Sequence, residues 1–305
     1  MKKIFALCLG ALCTPVFASY ELLLVVDQLS DSIRRYDPVT GASLGSFGGL
    51  QLTNPQSIAI IPGTSECVVT DPVSDTLNRF NYSTGQPISS VGISNSLGVS
   101  PVVHAFTDGT FLLWSFSGSV AQRISAGGTL LNTFSVPAGA TSMSAAGVGP
   151  SNEVYIAWNG TNRIQRYASN GALQGQSAVF AGSFGAGAQM SVAGNYGYLT
   201  SSSNRVTKFT IGNPATALEN VPFPAGEFTY GTARGHGDLT YFSGVDNADN
   251  AQIWIYDGAT KHRHGQFSLG AGVIPVSMAT VVAPEPTTML VLSGGLAILL
   301  RRRKR

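Results

Sequence analysis

The chain consists of short runs in which apolar and polar residues alternate, and most runs end in a cluster of Gly, Asn, Asp, Ser or Thr. Alternation with a period of two is the pattern of a β-strand that buries one face, and such clusters mark tight turns. In one stretch the apolar runs "SIAIIP" and "CVVTD" are followed by the alternating run "TLNRFN" and the turn sequence "YSTGQ". The pattern predicts an all-β fold of short antiparallel strands.

This arrangement of strands recurs along the chain. Each recurrence contains a strand in which a basic or amide residue lies beside or just before an aromatic residue or isoleucine, which we term the anchor residue. The anchor residues are Tyr36, Phe80, Ile124, Tyr167, Phe209 and Tyr256, at intervals of 44, 44, 43, 42 and 47 residues. Four short strands in about 40–45 residues are typical of a propeller blade. The repeat predicts a six-bladed β-propeller, and over residues 20–281 it resembles NHL-type and related six-bladed propellers.

The first unit lacks its opening strand, because the equivalent position falls near residue 11, in the apolar segment at the start of the chain. A matching segment occurs at the other end, where "PVSMA" at 275–279 repeats the form of "PQSIA" at 55–59. We expect residues 275–281 to complete the blade begun by residues 20–49, which closes the ring and removes an exposed edge. The alternatives are a β-sandwich and an open β-solenoid. A sandwich does not require six equivalent units, and a solenoid does not require its last segment to complete its first unit.

The first 18 residues have the order of a secretory signal peptide. Lys2 and Lys3 precede an apolar run from Ile4 to Leu12, and "VFA" at 16–18 supplies small residues for cleavage after Ala18. The apolar run is too short for a membrane span, which needs about 20 residues. We expect a signal helix that directs the chain to Sec-type export machinery, followed by a propeller domain of residues 19–283.

Cysteine and charge exclude several classes of site. Cys8 and Cys13 lie in the signal segment, so the exported chain keeps only Cys67 and has neither an intramolecular disulfide nor a cysteine metal cluster. We interpret Cys67, which lies in an apolar run, as a core residue. Residues 19–284 hold 11 basic and 15 acidic residues, a net charge near −4, because the other seven basic residues lie at the chain ends. This charge does not support a nucleic-acid partner.

The end of the chain has the pattern of a membrane segment. Residues 287–300 carry no charge and are followed by five cations: Arg301, Arg302, Arg303, Lys304 and Arg305. A helix of this length spans about 21 Å, less than the roughly 30 Å of hydrocarbon, but flanking arginines that reach the interface can compensate. The pattern predicts a C-terminal transmembrane helix with its basic tail in the cytoplasm and the propeller outside.

Three features in fixed order resemble a known sorting signal. Pro284-Glu285-Pro286, the apolar segment with Gly294 and Gly295, and the terminal arginine cluster resemble the PEP-CTERM signal of Gram-negative bacteria. The resemblance implies that an exosortase-type membrane protease-transpeptidase recognises the motif and removes the helix. The domain is then released or attached at the cell surface. Residues 284–305 are therefore expected to form a sorting region, and the protein to pass through an inner membrane-anchored precursor.

The propeller segment shows no recognised catalytic motif of the G-x-S-x-G, H-E-x-x-H or phosphate-loop type. His104 lies in the opening strand of the third unit, and His236 lies just after that of the sixth. Opening strands line the channel of a propeller, and the third and sixth units of six stand opposite each other. The two histidines are either channel ligands for a metal or small molecule, or isolated polar side chains facing channel water.

Two aspartates occupy equivalent places in the first two units. Asp27 and Asp71 each stand nine residues before an anchor residue. Repeated carboxylates can bind Ca²⁺ through oxygen ligands, or they can cap turns by accepting hydrogen bonds from backbone amides. Later units place Asn159, Ser202 and Asn247 nearby instead, which weakens a ring of carboxylates. We predict no cofactor, with Ca²⁺ as the open alternative, and "DNADN" at 246–250 as a candidate binding loop.

These features together predict an exported, surface-sorted propeller that binds or scaffolds an extracellular polysaccharide or matrix protein, rather than an enzyme. The prediction depends on the paired export and sorting signals around a domain without a visible catalytic motif. The alternative is a divalent-cation-dependent propeller enzyme, such as a lactonase, lyase or hydrolase. Fold does not determine function, so the ligand is left open.

Overall fold

A computed structural model describes most of the propeller segment. The contacts divide the chain into two units, one of residues 22–281 and one of residues 1–21 with 282–305. The predicted signal helix, the transmembrane helix and Glu285-Pro286 lie outside the described residues, and Pro284 is the last residue of the last strand. The described residues are 19–93, 100–116, 118–179, 184, 189–201, 205–212, 218–221, 223–235 and 238–284.

The described residues form 24 β-strands, and within this part of the chain no helix is long and apolar enough to cross a membrane. In chain order the strands are β1 (Ser19–Asp27), β2 (Ser32–Tyr36), β3 (Ser43–Phe47), β4 (Ser57–Ile60), β5 (Glu66–Asp71), β6 (Thr76–Asn81), β7 (Pro87–Gly92), β8 (Pro101–Ala105), β9 (Phe111–Ser115), β10 (Ala121–Ile124), β11 (Leu130–Phe134), β12 (Ser142–Val148), β13 (Val154–Asn159), β14 (Arg163–Tyr167), β15 (Leu173–Gln176), β16 (Met190–Ala193), β17 (Tyr196–Ser201), β18 (Arg205–Thr210), β19 (Leu218–Val221), β20 (Phe228–Arg234), β21 (Leu239–Val245), β22 (Ala251–Asp257), β23 (Arg263–Ser268) and β24 (Pro275–Pro284). The all-β prediction is confirmed for these residues.

These strands pair as six four-stranded antiparallel sheets, which are the six predicted blades. Blade 1 has the order β24-β1-β2-β3, and blades 2 to 6 are β4–β7, β8–β11, β12–β15, β16–β19 and β20–β23. The predicted closure is confirmed, because β24 contains residues 275–281 and pairs with β1. The physical reason is burial: residues 22–26 of β1 are all buried, so the inner edge of that strand needs a partner.

The anchor residues occupy the third strand of every blade, and all six are buried. Among the described residues, the basic residue beside the anchor links neighbouring blades at three places. In each case the side chain donates to a backbone carbonyl in the outer turn of the next blade, which explains why a cation recurs at this place. The three bonds are Arg35 Nη1 to Ser83 O at 2.7 Å, Arg123 Nη1 to Ser169 O at 3.1 Å, and Lys208 Nζ to Ala259 O at 3.3 Å.

The outer turns also bring blades together through a glycine in the left-handed region. In blade 2, Gly85 has φ +75° and its amide donates to Asn81 O at 2.7 Å. A Cβ added at Gly85 would lie 2.7 Å from the Cβ of Phe47, in the outer strand of blade 1. The turn therefore needs glycine for two independent reasons, its backbone angle and the closeness of the next blade.

Replacing Gly85 with Ala is expected to lower the free energy of unfolding by about 2–3 kcal/mol, since it adds left-handed strain and overpacks Phe47. Gly63 is a matched control, because it has φ +74° and open space around its Cβ position. Gly63→Ala should lose about 1 kcal/mol from strain alone. Urea unfolding followed by tryptophan fluorescence measures both, and equal losses would contradict the packing argument.

Candidate functional site

The innermost strands of all six blades line a central channel. The channel contains a cavity of about 200 Å³ that is open to solvent. Small side chains dominate its wall, because six strands converge on one axis and leave little space between them. Its polar lining side chains, apart from Arg234, are Ser57, His104, Gln189, Ser191, Thr232, Ser277 and Thr280.

Several of these polar groups form hydrogen bonds between different blades. The bonds are between Ser191 Oγ and Thr232 Oγ1 at 3.2 Å, from Gln189 Nε2 to Val276 O at 2.7 Å, and from Val103 N to Ser57 Oγ at 3.2 Å. In the Ser191–Thr232 pair either hydroxyl can donate, so the other keeps a proton for a further partner. The channel therefore offers donors and acceptors, some of which are held in place by bonds between blades.

His104 lies on β8 and faces this channel, as the sequence predicts. Burial lowers the pKa of the imidazole to about 4, against the opposite effect of a hydrogen bond to the Ala146 backbone on β12. The ring is therefore neutral near pH 7. Its Nε2 atom is buried and has no hydrogen-bond partner among the described residues. The predicted partner across the channel, His236, lies outside the described residues.

Arg234 ends β20 at the channel wall, but its guanidinium is directed away from the axis. Nη1 donates to Thr240 Oγ1 at 3.2 Å, and the Cζ atom lies 5.6 Å from the ring centroid of Tyr198. Both of these residues are on second strands, β21 and β17. The positive charge of Arg234 is therefore placed between blades 5 and 6, and the channel wall described here is uncharged.

The predicted site residue Asp27 lies at the end of β1, where the ring closes. Its Oδ1 accepts hydrogen bonds from the amides of Leu29 at 3.2 Å and Ile274 at 3.0 Å. Oδ2 accepts from Ser30 Oγ at 2.6 Å and from Arg34 Nε at 2.7 Å. Burial raises the pKa of Asp27, but the hydrogen bonds from Ser30, Ile274 and Arg34, with the charge of Arg34, outweigh it and lower the pKa.

Asp71 has the same role in blade 2, at the end of β5. Its Oδ1 accepts from the amides of Val73 at 3.1 Å and Ser74 at 3.4 Å, which closes the turn to β6. Oδ2 accepts from the amides of Thr53 at 2.6 Å and Asn54 at 3.4 Å, in the segment that leads to the inner strand β4. Asp71 therefore holds the second strand of its blade to the chain entering the first.

The contacts of Asp27 and Asp71 are those expected of aspartates that cap turns. Each carboxylate connects its own turn to the segment that enters the inner strand of the same blade, Ile274 in one case and Asn54 in the other. Among the described residues, no group of three or more His, Cys, Asp or Glu side chains could hold a metal ion. Calcium binding at these two positions stays an untested prediction.

The candidate binding loop at 246–250 is a tightly held turn between β21 and β22. Asp246 accepts hydrogen bonds from the amides of Ala248 at 2.9 Å and Asn250 at 3.0 Å, and from Gln252 Nε2 at 3.1 Å. Asp249 adopts φ +59°, a conformation that Asp tolerates better than most residues. The loop is thus a rigid polar projection from blade 6.

Cys67 and the tryptophans belong to the core. Cys67 on β5 is fully buried, and burial raises the pKa of its thiol to about 12, so it is not a nucleophile near neutral pH. Trp114, Trp158 and Trp254 are also fully buried and do not present an aromatic surface to a ligand. The core interpretation of Cys67 is confirmed.

Sequence reasoning did not find the hydroxyl pair Ser191–Thr232 or Gln189 as channel residues. The signal that points to them is their place in, or just before, the inner strands β16 and β20. In those strands small polar residues alternate with core residues such as Met190 and Ala233. Composition alone does not distinguish them from the serines and threonines of turns.

Comparison with known proteins supports the propeller fold but no specific function. No protein-family model and no curated protein matches the chain. A protein of unknown function from Desulfotomaculum acetoxidans is 14% identical, with TM-score 0.59 over 87% of this chain and 99% of that one. Virginiamycin B lyase from Staphylococcus aureus is 14% identical, with TM-score 0.54 over 78% and 77%. The β-propeller domain of Myceliophteria thermophila Cps50 (Swd1) is 8% identical, with TM-score 0.55 over 82% and 86%.

Proposed function

We propose that this protein is exported, sorted to the cell surface through its C-terminal segment, and acts there as a binding or scaffolding module. Its ligand is an extracellular polysaccharide or a matrix protein. The observation that carries the proposal is the closed ring with an uncharged, hydrogen-bonding channel, in a chain that begins with an export-type segment and ends with a PEP-CTERM-like one. A rigid ring with a solvent-open channel presents fixed polar groups to a partner outside the cell.

The chemistry of the channel suits recognition by hydrogen bonds. Its wall offers the hydroxyls of Ser191 and Thr232, the amide of Gln189 and the neutral imidazole of His104. Polysaccharides carry many hydroxyl groups that both donate and accept, so these side chains match them without any charged contact. The polar loop at 246–250 adds a second, projecting surface for a larger partner.

The sorting part of the proposal predicts a change in processing when the motif is removed. Replacing Pro284, Glu285 and Pro286 together with alanine should leave the protein uncleaved in the inner-membrane fraction, because an exosortase-type enzyme then has no site to recognise. The wild type should lose its C-terminal segment and appear at the surface or in the medium. Cell fractionation with mass spectrometry measures both, and Pro62→Ala, in an exposed turn, is the control. Identical processing of motif variant and wild type would contradict sorting.

The binding part is tested with the full-length protein and the producing cell's own extracellular polysaccharide. Retardation in a gel containing that polymer, or pull-down by purified matrix protein, is the expected result. The alternative, a cation-dependent propeller enzyme, is favoured by one observation, the neutral imidazole of His104 in the wall of the channel. A stoichiometric divalent ion that chelators remove slowly, with no retention by polysaccharide or matrix protein, would favour the enzyme.

A further inference from the structure

The two ends of the ring carry different parts of the chain. β24 begins beside the end of β1, since the amide of Ile274 donates to Asp27 Oδ1 at 3.0 Å and the amide of Gln28 donates to Ile274 O at 3.1 Å. We call this the entry end, because the inner strands begin there. Neighbouring strands of a blade are antiparallel, so the outer strands begin at the opposite end, which we call the exit end. β24 thus directs the chain out of the ring at the exit end.

The exit end carries exposed aliphatic side chains in four consecutive blades. They occupy the first or second residue of the outer strands β3, β7, β11 and β15, and these strands contain no charged residue. We term the five residues the aliphatic band: Leu44 (39% exposed), Ile88 (46%), Leu130 (53%), Leu131 (50%) and Leu173 (57%). Recurrence at equivalent places in neighbouring blades indicates a shared contact rather than scattered surface residues.

The entry end also has exposed aliphatic residues, but these lie among carboxylates. Leu29 lies between Asp27 and Asp31 in the first turn of blade 1, and blade 2 repeats this pattern around Val73. The projecting loop at 246–250 adds two further aspartates to this end. An anionic surface is therefore repelled at the entry end, whereas the outer strands of the aliphatic band offer it no like charge.

The chain that follows β24 indicates what covers the aliphatic band. Only residues 282–286 separate residue 281 from the uncharged segment at 287–300, so the link spans at most about 20 Å when fully extended. In the anchored precursor of the proposed function, that segment lies in the membrane. The exit end is then held close to the lipid surface, where apolar side chains are buried about 5–10 Å deep at the boundary of headgroups and acyl chains.

We propose that the exit end is a membrane-contact surface, on which the aliphatic band rests against the lipid of the membrane that anchors the precursor. The anchor belongs to the proposed function, on which this surface rests. The surface adds which end of the ring the lipid covers. The acidic entry end and the loop at 246–250 face away from the membrane and stay open to an extracellular partner.

The test uses the full-length protein in vesicles of phosphatidylcholine and phosphatidylglycerol, with one environment-sensitive fluorophore on an introduced cysteine. Leu130→Cys and Leu173→Cys place the label in the aliphatic band. Val73→Cys is the matched control at the entry end, because Val73 is similarly exposed (64%).

The native cysteines do not compete for the label. Cys67 is fully buried, and burial raises the pKa of its thiol to about 12, so it should not react. Cys8 and Cys13 are replaced by serine in every variant and in the reference protein. The reference protein should therefore take up no label.

Labels at positions 130 and 173 should shift to shorter emission wavelength and lose most of their emission to lipids that carry a spin label near the headgroup. The label at position 73 should keep its emission with these lipids and lose it to iodide in the water. Flotation of the vesicles measures anchoring in the same samples.

Two outcomes reject the surface and leave the anchor standing: the protein floats and no label is quenched by lipid, or it floats and the label at position 73 is quenched as strongly as the other two. A protein that does not float with the vesicles overturns the anchor and the surface together. Should Leu130→Cys not fold, Leu173→Cys decides.

Discussion

A chain that ends after Val273 is expected to lose cooperative folding, whereas a chain that ends after Pro284 should fold like the full-length protein. The shorter chain lacks β24, the inner strand of blade 1. Without it Leu23 and Val25 lose Met278, which is buried in the same hydrophobic cluster. Burial of Met278 and Val281 alone contributes about 2–3 kcal/mol each. With the backbone bonds of β1 the loss exceeds about 5 kcal/mol, the lower range of total stability.

The two truncations form a matched pair, because both remove residues 285–305 and only one removes the closing strand. Circular dichroism and urea unfolding followed by the buried tryptophans measure the difference. We expect a sharp transition for the chain ending at Pro284. We expect a broad or absent transition, with red-shifted tryptophan emission, for the chain ending at Val273. Equal midpoints would mean that closure by β24 does not hold the ring.

Asp27→Asn is expected to lower the free energy of unfolding by about 3 kcal/mol. The substitution keeps the shape of the side chain but removes the charge that faces Arg34, 2.7 Å away, at a carboxylate that is fully buried. Removing one partner of a buried pair leaves the other uncompensated, although the partial exposure of Arg34 places the loss at the low end of the usual range. Asp31→Asn is the control, since Asp31 has φ +50° and Asn tolerates that angle equally well. It should change stability by less than about 0.5 kcal/mol.

The contribution of Asp27 to stability is expected to depend on pH. The pKa of Asp27 is lowered in the folded protein from its ordinary value of 3.8. Its contribution to stability is therefore complete above pH 3.8, where the unfolded chain is also ionised, and is lost as the pH falls through the lower pKa of the folded state. Urea midpoints of wild type and Asp27→Asn should converge below pH 3.8. Asn cannot ionise, so a difference that stays constant at lower pH would contradict the role of the carboxylate.

Much of the fold could be predicted because each repeat has a recognisable local pattern of alternating residues and turn residues. The anchor residues recur at nearly constant intervals, and every one lies on the third strand of a blade. The similarity of "PVSMA" to "PQSIA" was sufficient to predict the closure, because equivalent strands need equivalent side chains. The same equivalence explains why Asp27 and Asp71 have corresponding partners, Ile274 and Asn54.

The candidate site could be predicted only in part. His104 was found because histidine is uncommon in this chain and its strand was recognised as an inner one. The pairing of Ser191 with Thr232 could not be found, since the two residues lie on different blades and 41 positions apart. The orientation of the Arg234 side chain could not be predicted either, because it depends on contact with Tyr198 in the neighbouring blade.

The sequence by itself determined the strand content, the number of blades and the closing of the ring by its own last strand. These properties depend on alternation, turn residues and repeat length, which are local along the chain. Only the tertiary structure decided which polar groups find partners on other blades, such as Ser191 with Thr232, and which described ones are buried without a partner, such as His104 Nε2. That distinction depends on contacts between strands far apart in the sequence. The order of residues along a single strand does not show which of these contacts form.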